Sequence, residues 1–363
     1  MVMGALGAIV ARAIRLPEAS GAMLSGLLLV TAARAGGWEA APRLGWLRWS
    51  LVALLCFGLG AEIDLTRLTR KPASLVTMAL AQAVAVAALA GGLGLAAGMG
   101  RDGSLLLAAG CLAASPAALI AVATASRSRG DLTQTILCLC PPGLLLAFVL
   151  SASSNGSPEA LAHLALALGL ATLCGLTILM PLSRMATRSA MATVIGAGMA
   201  LLAGCARLWP EPGLLPLMAI LAGFMTGSLL PNRDLVRDVL HDAVAPGSLA
   251  LFALAGSSFL IESLAAALVL GTLMLAARAA GLLVAAAALR RPAIRMAAAM
   301  LPMAGAGVAI VSLRADVAPA ATALLAAAFL GEAAGMAATR WALGRSGEAA
   351  LAAEPDDWRA RMR

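Results

Sequence analysis

ASPAALIAV (Ala114–Val122) sets a Ser-Pro pair, Ser115-Pro116, in the middle of an apolar run long enough to cross a bilayer. Proline removes a backbone donor and clashes with the preceding turn, so a helix there has to stop and restart. LPMAGAGVAIV (Leu301–Val311) places Pro302, Gly305 and Gly307 at the corresponding point of the second half of the chain. Unwound backbone at mid-membrane is tolerated only where protein or a water-filled cavity satisfies it. Half-helix N-termini attract anions and freed carbonyls attract cations. Two breaks at equivalent depth therefore predict crossed discontinuous helices around an ion site.

Composition supports the membrane setting. Hydrophobic residues make up 61% of the 363 and charged residues 12%, against roughly 25% charged in a soluble domain. The apolar runs are long and lack strand-like alternation, so the fold is an all-α membrane protein. Thirteen spans are expected, near 1–12, 18–33, 46–61, 73–98, 103–125, 132–152, 158–181, 189–206, 213–230, 244–261, 263–286, 294–313 and 318–339. The split between Ile261 and Glu262 separates two of them, and the first run, Met1 to Ala11, is short for a span. No basic leader or cleavage site marks a signal peptide.

The net charge of +8 is not a nucleic-acid signal, because the basic residues gather in short loops. Alternate loops carry Arg67, Arg70 and Lys71; Arg127 and Arg129; Arg184 and Arg188; Arg233 and Arg237; and Arg290, Arg291 and Arg295. Most of the intervening loops carry a single arginine, such as Arg101, Arg207 or Arg314. The positive-inside rule then puts the N-terminus out and the C-terminus in, as an odd number of spans requires, in a plasma (inner) membrane. The six cysteines fall within apolar runs and read as buried free thiols. No nucleophile, phosphate-loop or metal motif stands out, so neither an enzyme nor a cofactor is expected.

Pieces of the first half recur in the second. LPEASGAMLSG (Leu16–Gly26) resembles LPLMAILAGFMTG (Leu215–Gly227), and FGLGAEI (Phe57–Ile63) resembles FALAGSS (Phe252–Ser258). With the two broken spans, the order gives repeat one over 1–152, a linker helix over 158–181 and repeat two over 189–342, before a short cytoplasmic tail, 343–363. A single linking span makes the six-helix repeats inverted, as in many secondary transporters.

Few charges fall inside spans. Arg278, in LMLAARAAGLL, lies near mid-span, where an arginine is a functional candidate by default. Glu332, in FLGEAAGM, is the clearest intramembrane acid. Glu62 and Asp64, beside Arg67 and Arg70, read as a solvated cluster at a span end. His163 and His241 sit near an interface and in a loop, without a catalytic arrangement.

RLPEASGAMLSGLLL, FGLGAEIDLTRL, AASPAALIAV, AGFMTGSLL, ARAAGLL and LPMAGAGVAIV, in this order, resemble the cation:proton antiporter superfamily, the sodium/hydrogen exchanger-like membrane domain. The resemblance spans about residues 1–340 and implies a homodimer in the lipid bilayer that exchanges a monovalent cation for a proton. It implies a dimerisation panel and a six-span core, spans 4–6 and 11–13, with spans 5 and 12 crossing. Arg278 matches the family's basic residue in span 11.

The family's acidic pair in span 6 has no counterpart. LCLCPPGLLLAF (Leu137–Phe148) puts Pro141, Pro142 and Gly143 there, and no acid lies between Asp131 and Glu159. Two prolines and a glycine predict an opened helix, where either carbonyls replace carboxylates as ligands or the site no longer couples protons. The transport core expected from sequence is Ser115, Pro116, Pro141, Pro142, Gly143, Arg278, Pro302, Gly305 and Gly307, with Glu332 as an alternative carboxylate. Three functions remain open. One is antiport with divergent coupling chemistry. Another is transport of an anion or organic solute by Arg278 facing half-helix N-termini. The third is a non-transporting sensor or degenerate paralogue.

Overall fold

The computed structural model describes residues 2–13, 17–35, 45–63, 72–128, 130–153, 160–185, 187–207, 214–230, 233–258, 264–312 and 318–349. Among them the regular structure is fifteen helices. These are α1 (Val2–Ala13), α2 (Glu18–Ala35), α3 (Gly45–Ala61), α4 (Pro72–Ala96), α5 (Arg101–Leu112), α6 (Pro116–Ala125), α7 (Asp131–Ser153) and α8 (Ala160–Leu182). The second half gives α9 (Arg188–Arg207), α10 (Leu214–Leu229), α11 (Arg233–Gly256), α12 (Leu264–Ala288), α13 (Ala293–Ala299), α14 (Ala304–Ser312) and α15 (Ala318–Arg345). Six of them, α4, α7, α8, α11, α12 and α15, are long and apolar enough to cross a membrane.

Both expected interruptions are present. α5 stops at Leu112 and α6 starts at Pro116; α13 stops at Ala299 and α14 starts at Ala304. Pro116 takes the first helical position, where the missing N–H costs nothing, and Ser115 is extended at φ −97°, ψ 96°. The Ser115 N–H donates to the Pro302 carbonyl at 3.0 Å, so each break supplies backbone that satisfies the other.

The helices sort into two bodies. α4–α7 pack mainly with α12–α15, and α1–α3 mainly with α8–α11. Glycine sets the second body. A Cβ on Gly26 would lie 1.9 Å from the Ala253 carbonyl oxygen, and one on Gly256 would lie 2.0 Å from that of Met23. The same holds between α3 and α10, where Gly60 meets Ile220 and Gly223 meets Phe57, each at 2.0 Å. These helices touch backbone to backbone, the close approach that small residues permit in lipid, where no hydrophobic force pulls helices together.

Three features depart from the sequence reading. First, α7 runs unbroken through Pro141 and Pro142, where an opened helix was expected. The prolines cannot donate to the carbonyls of Leu137 and Cys138. Unwinding would strip several further groups of partners in an apolar surround, so the helix tolerates the local loss. Second, α11 begins at Arg233, so Arg237 and His241 lie on a helix and not in a loop. Third, the carboxylate of Glu348, beyond α15, caps the start of α7. It accepts from the N–H groups of Leu132 at 2.7 Å and Thr133 at 2.9 Å, and from Thr133 Oγ1 at 2.7 Å. Gly347, at φ +74°, makes the turn that delivers it. The Ile261/Glu262 split, and Asp64, Arg67 and Arg70, lie outside the described residues.

Replacing Gly223 by Val should force α3 and α10 apart and lower the yield of monodisperse protein on size exclusion several-fold. Gly196→Ala, where nothing lies within 4 Å, should leave yield unchanged and raise stability by about 0.5–1 kcal/mol in a thermal melt.

Candidate functional site

A cavity of about 2070 Å³ opens between the two bodies. Its mouth carries Arg12, Glu18, Arg127, Arg237, Asp238 and Arg340. Its buried lining includes Ser115, Gly305 and Glu332. On α15, Glu332, Met336 and Arg340 recur every four residues and so line one face. Eight residues of helix put Glu332 about 12 Å deeper than Arg340. The cavity floor is therefore where the starts of α6 and α14 meet: a Cβ on Gly305 would lie 3.9 Å from Ser115 Oγ. Glu332 is 8% exposed and is the deepest acid in its wall.

Arg278 lies on the other side of the breaks. It is fully buried, at 0% exposure. Its Nη1 donates to the carbonyls of Cys111 and, at 3.1 Å, Ala113. Nε, at 3.2 Å, and Nη2 donate to the carbonyl of Met300. These carbonyls end α5 and α13. The placement of Arg278 against half-helix N-termini, which the anion or organic-solute alternative required, is thus reversed: the guanidinium holds the two C-terminal ends. The reason is electrostatic, because unpaired carbonyls make a helix C-terminus partly negative and a guanidinium is its natural counter-charge. A planar fork with several donors suits three carbonyls better than a point charge would.

The structure thus brings Ser115, Gly305 and Glu332 to one cavity, with Pro116 and Pro302 shaping the backbone behind them. Gly307 lies inside α14, its N–H donating to the Met303 carbonyl at 3.1 Å. Pro141, Pro142 and Gly143 are not among the cavity's lining residues; of that stretch only Leu137 is. Cys56, Cys111, Cys138 and Cys140 are buried and Cys174 is half-buried, with no disulfide among these described residues.

One group escaped the sequence reading, and another was read without two of its neighbours. Glu62 faces the cavity near Arg237 and His241, on a different helix. Gln82, on α4, is buried at the level of the α5 break. A lone glutamine in an apolar run is the readable signal of such a group, but it has no charge to mark it.

No family model matches the chain, and no curated protein matches it. Among solved structures it is similar to the sodium proton antiporter MjNhaP1 from Methanocaldococcus jannaschii at pH 8, with TM-score 0.71 at 14% identity over 95% of this chain and 96% of that one. An electron-microscopy map of MjNhaP1 gives TM-score 0.64 at 15% identity over 95% and 94%. The chain has the cation:proton antiporter-like fold that the sequence motifs implied, almost end to end.

Desolvation by the surrounding protein raises the Glu62 carboxyl from the ordinary 4.5 to about 6 against the opposing pull of Arg237 and His241, even though much of its surface reaches solvent. An acid whose pKa is higher in the folded chain favours folding at low pH and loses that contribution as pH rises from 4.5 to about 6. Glu62→Gln should remove this dependence. In paired thermal melts, the gain of the variant over the native protein should grow between those pH values and stay level above them.

Proposed function

We propose that this protein is a secondary transporter that exchanges a monovalent cation for a proton by alternating access. The observation that carries the reading is the cavity itself, which Glu332 lines together with Ser115 and Gly305 at the starts of two broken helices. Those starts, at Pro116 and Ala304, are electropositive. A cation settles beside them only when a nearby carboxylate is ionised, and a proton on that carboxylate dismisses it. Proton and cation thus compete for one charge, which is the minimal logic of exchange. Glu332 is the carboxylate in this reading, and Ser115 Oγ and the break's backbone oxygens complete the cation's shell.

The finer architecture belongs to the same proposal. Thirteen spans in two inverted repeats fit the pairing of α2 with α11 and α3 with α10, since the related motifs lie on α2 and α10 and on α3 and α11. The hydrogen bond from Ser115 to Pro302 fits a crossing of the two broken spans. The arginines at the mouth fit a cavity open to the cytoplasm, with the N-terminus out and the C-terminus in. Homodimerisation through α1–α3 and α8–α11, in a plasma membrane, completes the picture. Arg278, which donates from all three of its nitrogens to carbonyls, is a scaffold for the site and not its substrate ligand.

A second reading rests on the same floor. Two helix N-termini favour an anion whenever Glu332 is neutral. Purified protein in liposomes with an imposed pH gradient separates the two. Sodium, potassium or lithium pulses should collapse the gradient, and Glu332→Gln should slow this about 100-fold or more, the scale of a lost proton-transfer group. Pulses without effect at any pH, together with tracer anion uptake that survives Glu332→Gln, would replace antiport with anion transport.

A further inference from the structure

Gln82 is 3% exposed, and among the described residues no group pairs with its Nε2. A buried amide donor left this way is costly, so its surroundings call for a partner. Across from it stands Gly143, in the Pro-Pro-Gly stretch of α7. A Cβ on Gly143 would meet Gln82 Nε2 at 3.7 Å and the Leu112 carbonyl oxygen at 3.8 Å, and nothing else outside its own helix within 4 Å.

The Leu112 carbonyl is also short of its usual partner. In a continuing helix it would accept from the amide of residue 116, which is proline and has none. The Ser115 N–H, one residue nearer, is committed to Pro302. Arg278 takes the neighbouring carbonyls of Cys111 and Ala113. An amide donor and a carbonyl acceptor therefore face one gap, each roughly 1 Å beyond hydrogen-bond length from the position a Cβ would take.

We propose that this gap is a binding site for a single water molecule, which accepts from the Gln82 amide and donates to the Leu112 carbonyl. The pairing selects its ligand. The N–H repels a bare cation, and the carbonyl repels an anion. An amphoteric neutral molecule satisfies both, and a polar pocket with two or more partners is where buried water is found. Gly143 keeps the room, and the water ties α4, the end of α5 and α7 together at the α5 break. The site is separate from the cavity that serves transport, and its failure would leave the antiport reading standing.

The test turns on a sign. Gly→Ala inside a helix ordinarily raises stability. Filling this gap with a methyl group expels the water and strands both polar groups. Gly143→Ala should therefore lower the apparent melting temperature of the purified protein in detergent. In a Gln82→Met background, where the amide is gone, Gly143→Ala should do less harm or become stabilising. Gly143→Ser, whose hydroxyl can make both hydrogen bonds, should match or exceed the native protein. An experimental map that resolves water should show density bridging Gln82 and Leu112. Stabilisation by Gly143→Ala in both backgrounds, Gly143→Ser falling below the native protein, or a map without that density would each overturn the proposal.

Discussion

The guanidinium of Arg278 holds the carbonyl ends of two broken helices, and the rest of the site depends on that contact. A buried arginine without partners costs several kcal/mol, and so do helix ends with unpaired carbonyls. Each problem solves the other here. A helix C-terminus carries roughly half a negative charge, so two of them offset about one positive charge. Hydrogen bonds to a charged group contribute about 1.5–3 kcal/mol each. Together they keep both breaks at one depth, which a pair of apolar helices could not do by packing alone.

The polarity of the cavity follows from that arrangement. With the C-terminal ends of α5 and α13 turned to Arg278, the starts of α6 and α14 are turned to the cavity. Negative ends are neutralised out of reach of solvent, and positive ends are presented where an ion can arrive. Glu332 is then the buried acid that lines the cavity beside those positive ends. The absence of an acid from the Pro-Pro-Gly stretch of α7 fits this division, because the face of Gly143 meets Gln82 and the α5 end and does not line the cavity.

Local chemistry was legible in the sequence, and long-range packing was not. Pro116 and Pro302 revealed the breaks because a proline's missing donor and steric clash act within one turn. Arg278 stood out because a charge in an apolar span is costly wherever it points. Its direction could not be read, since that depends on Cys111, Ala113 and Met300 arriving from two other helices. Pro141 and Pro142 misled for the same reason. The breaking tendency of two prolines is local, but the surrounding helices keep α7 intact. Glu62 is exposed, as its reading as part of a solvated cluster requires, but Arg237 and His241 also approach it from α11, which its sequence neighbours could not show. Gln82 carries no charge, and its position beside Gly143 arises only when α4 packs on α5 and α7.

Hydrogen–deuterium exchange at residues 109–118 and 298–305, in native protein and in Arg278→Met reconstituted in nanodiscs, tests the central contact most directly. If Arg278 holds both breaks as one unit, the substitution should raise exchange in the two segments together while the packed helices α3 and α10 stay protected. Unchanged exchange in both segments, or a rise in only one, would contradict the account.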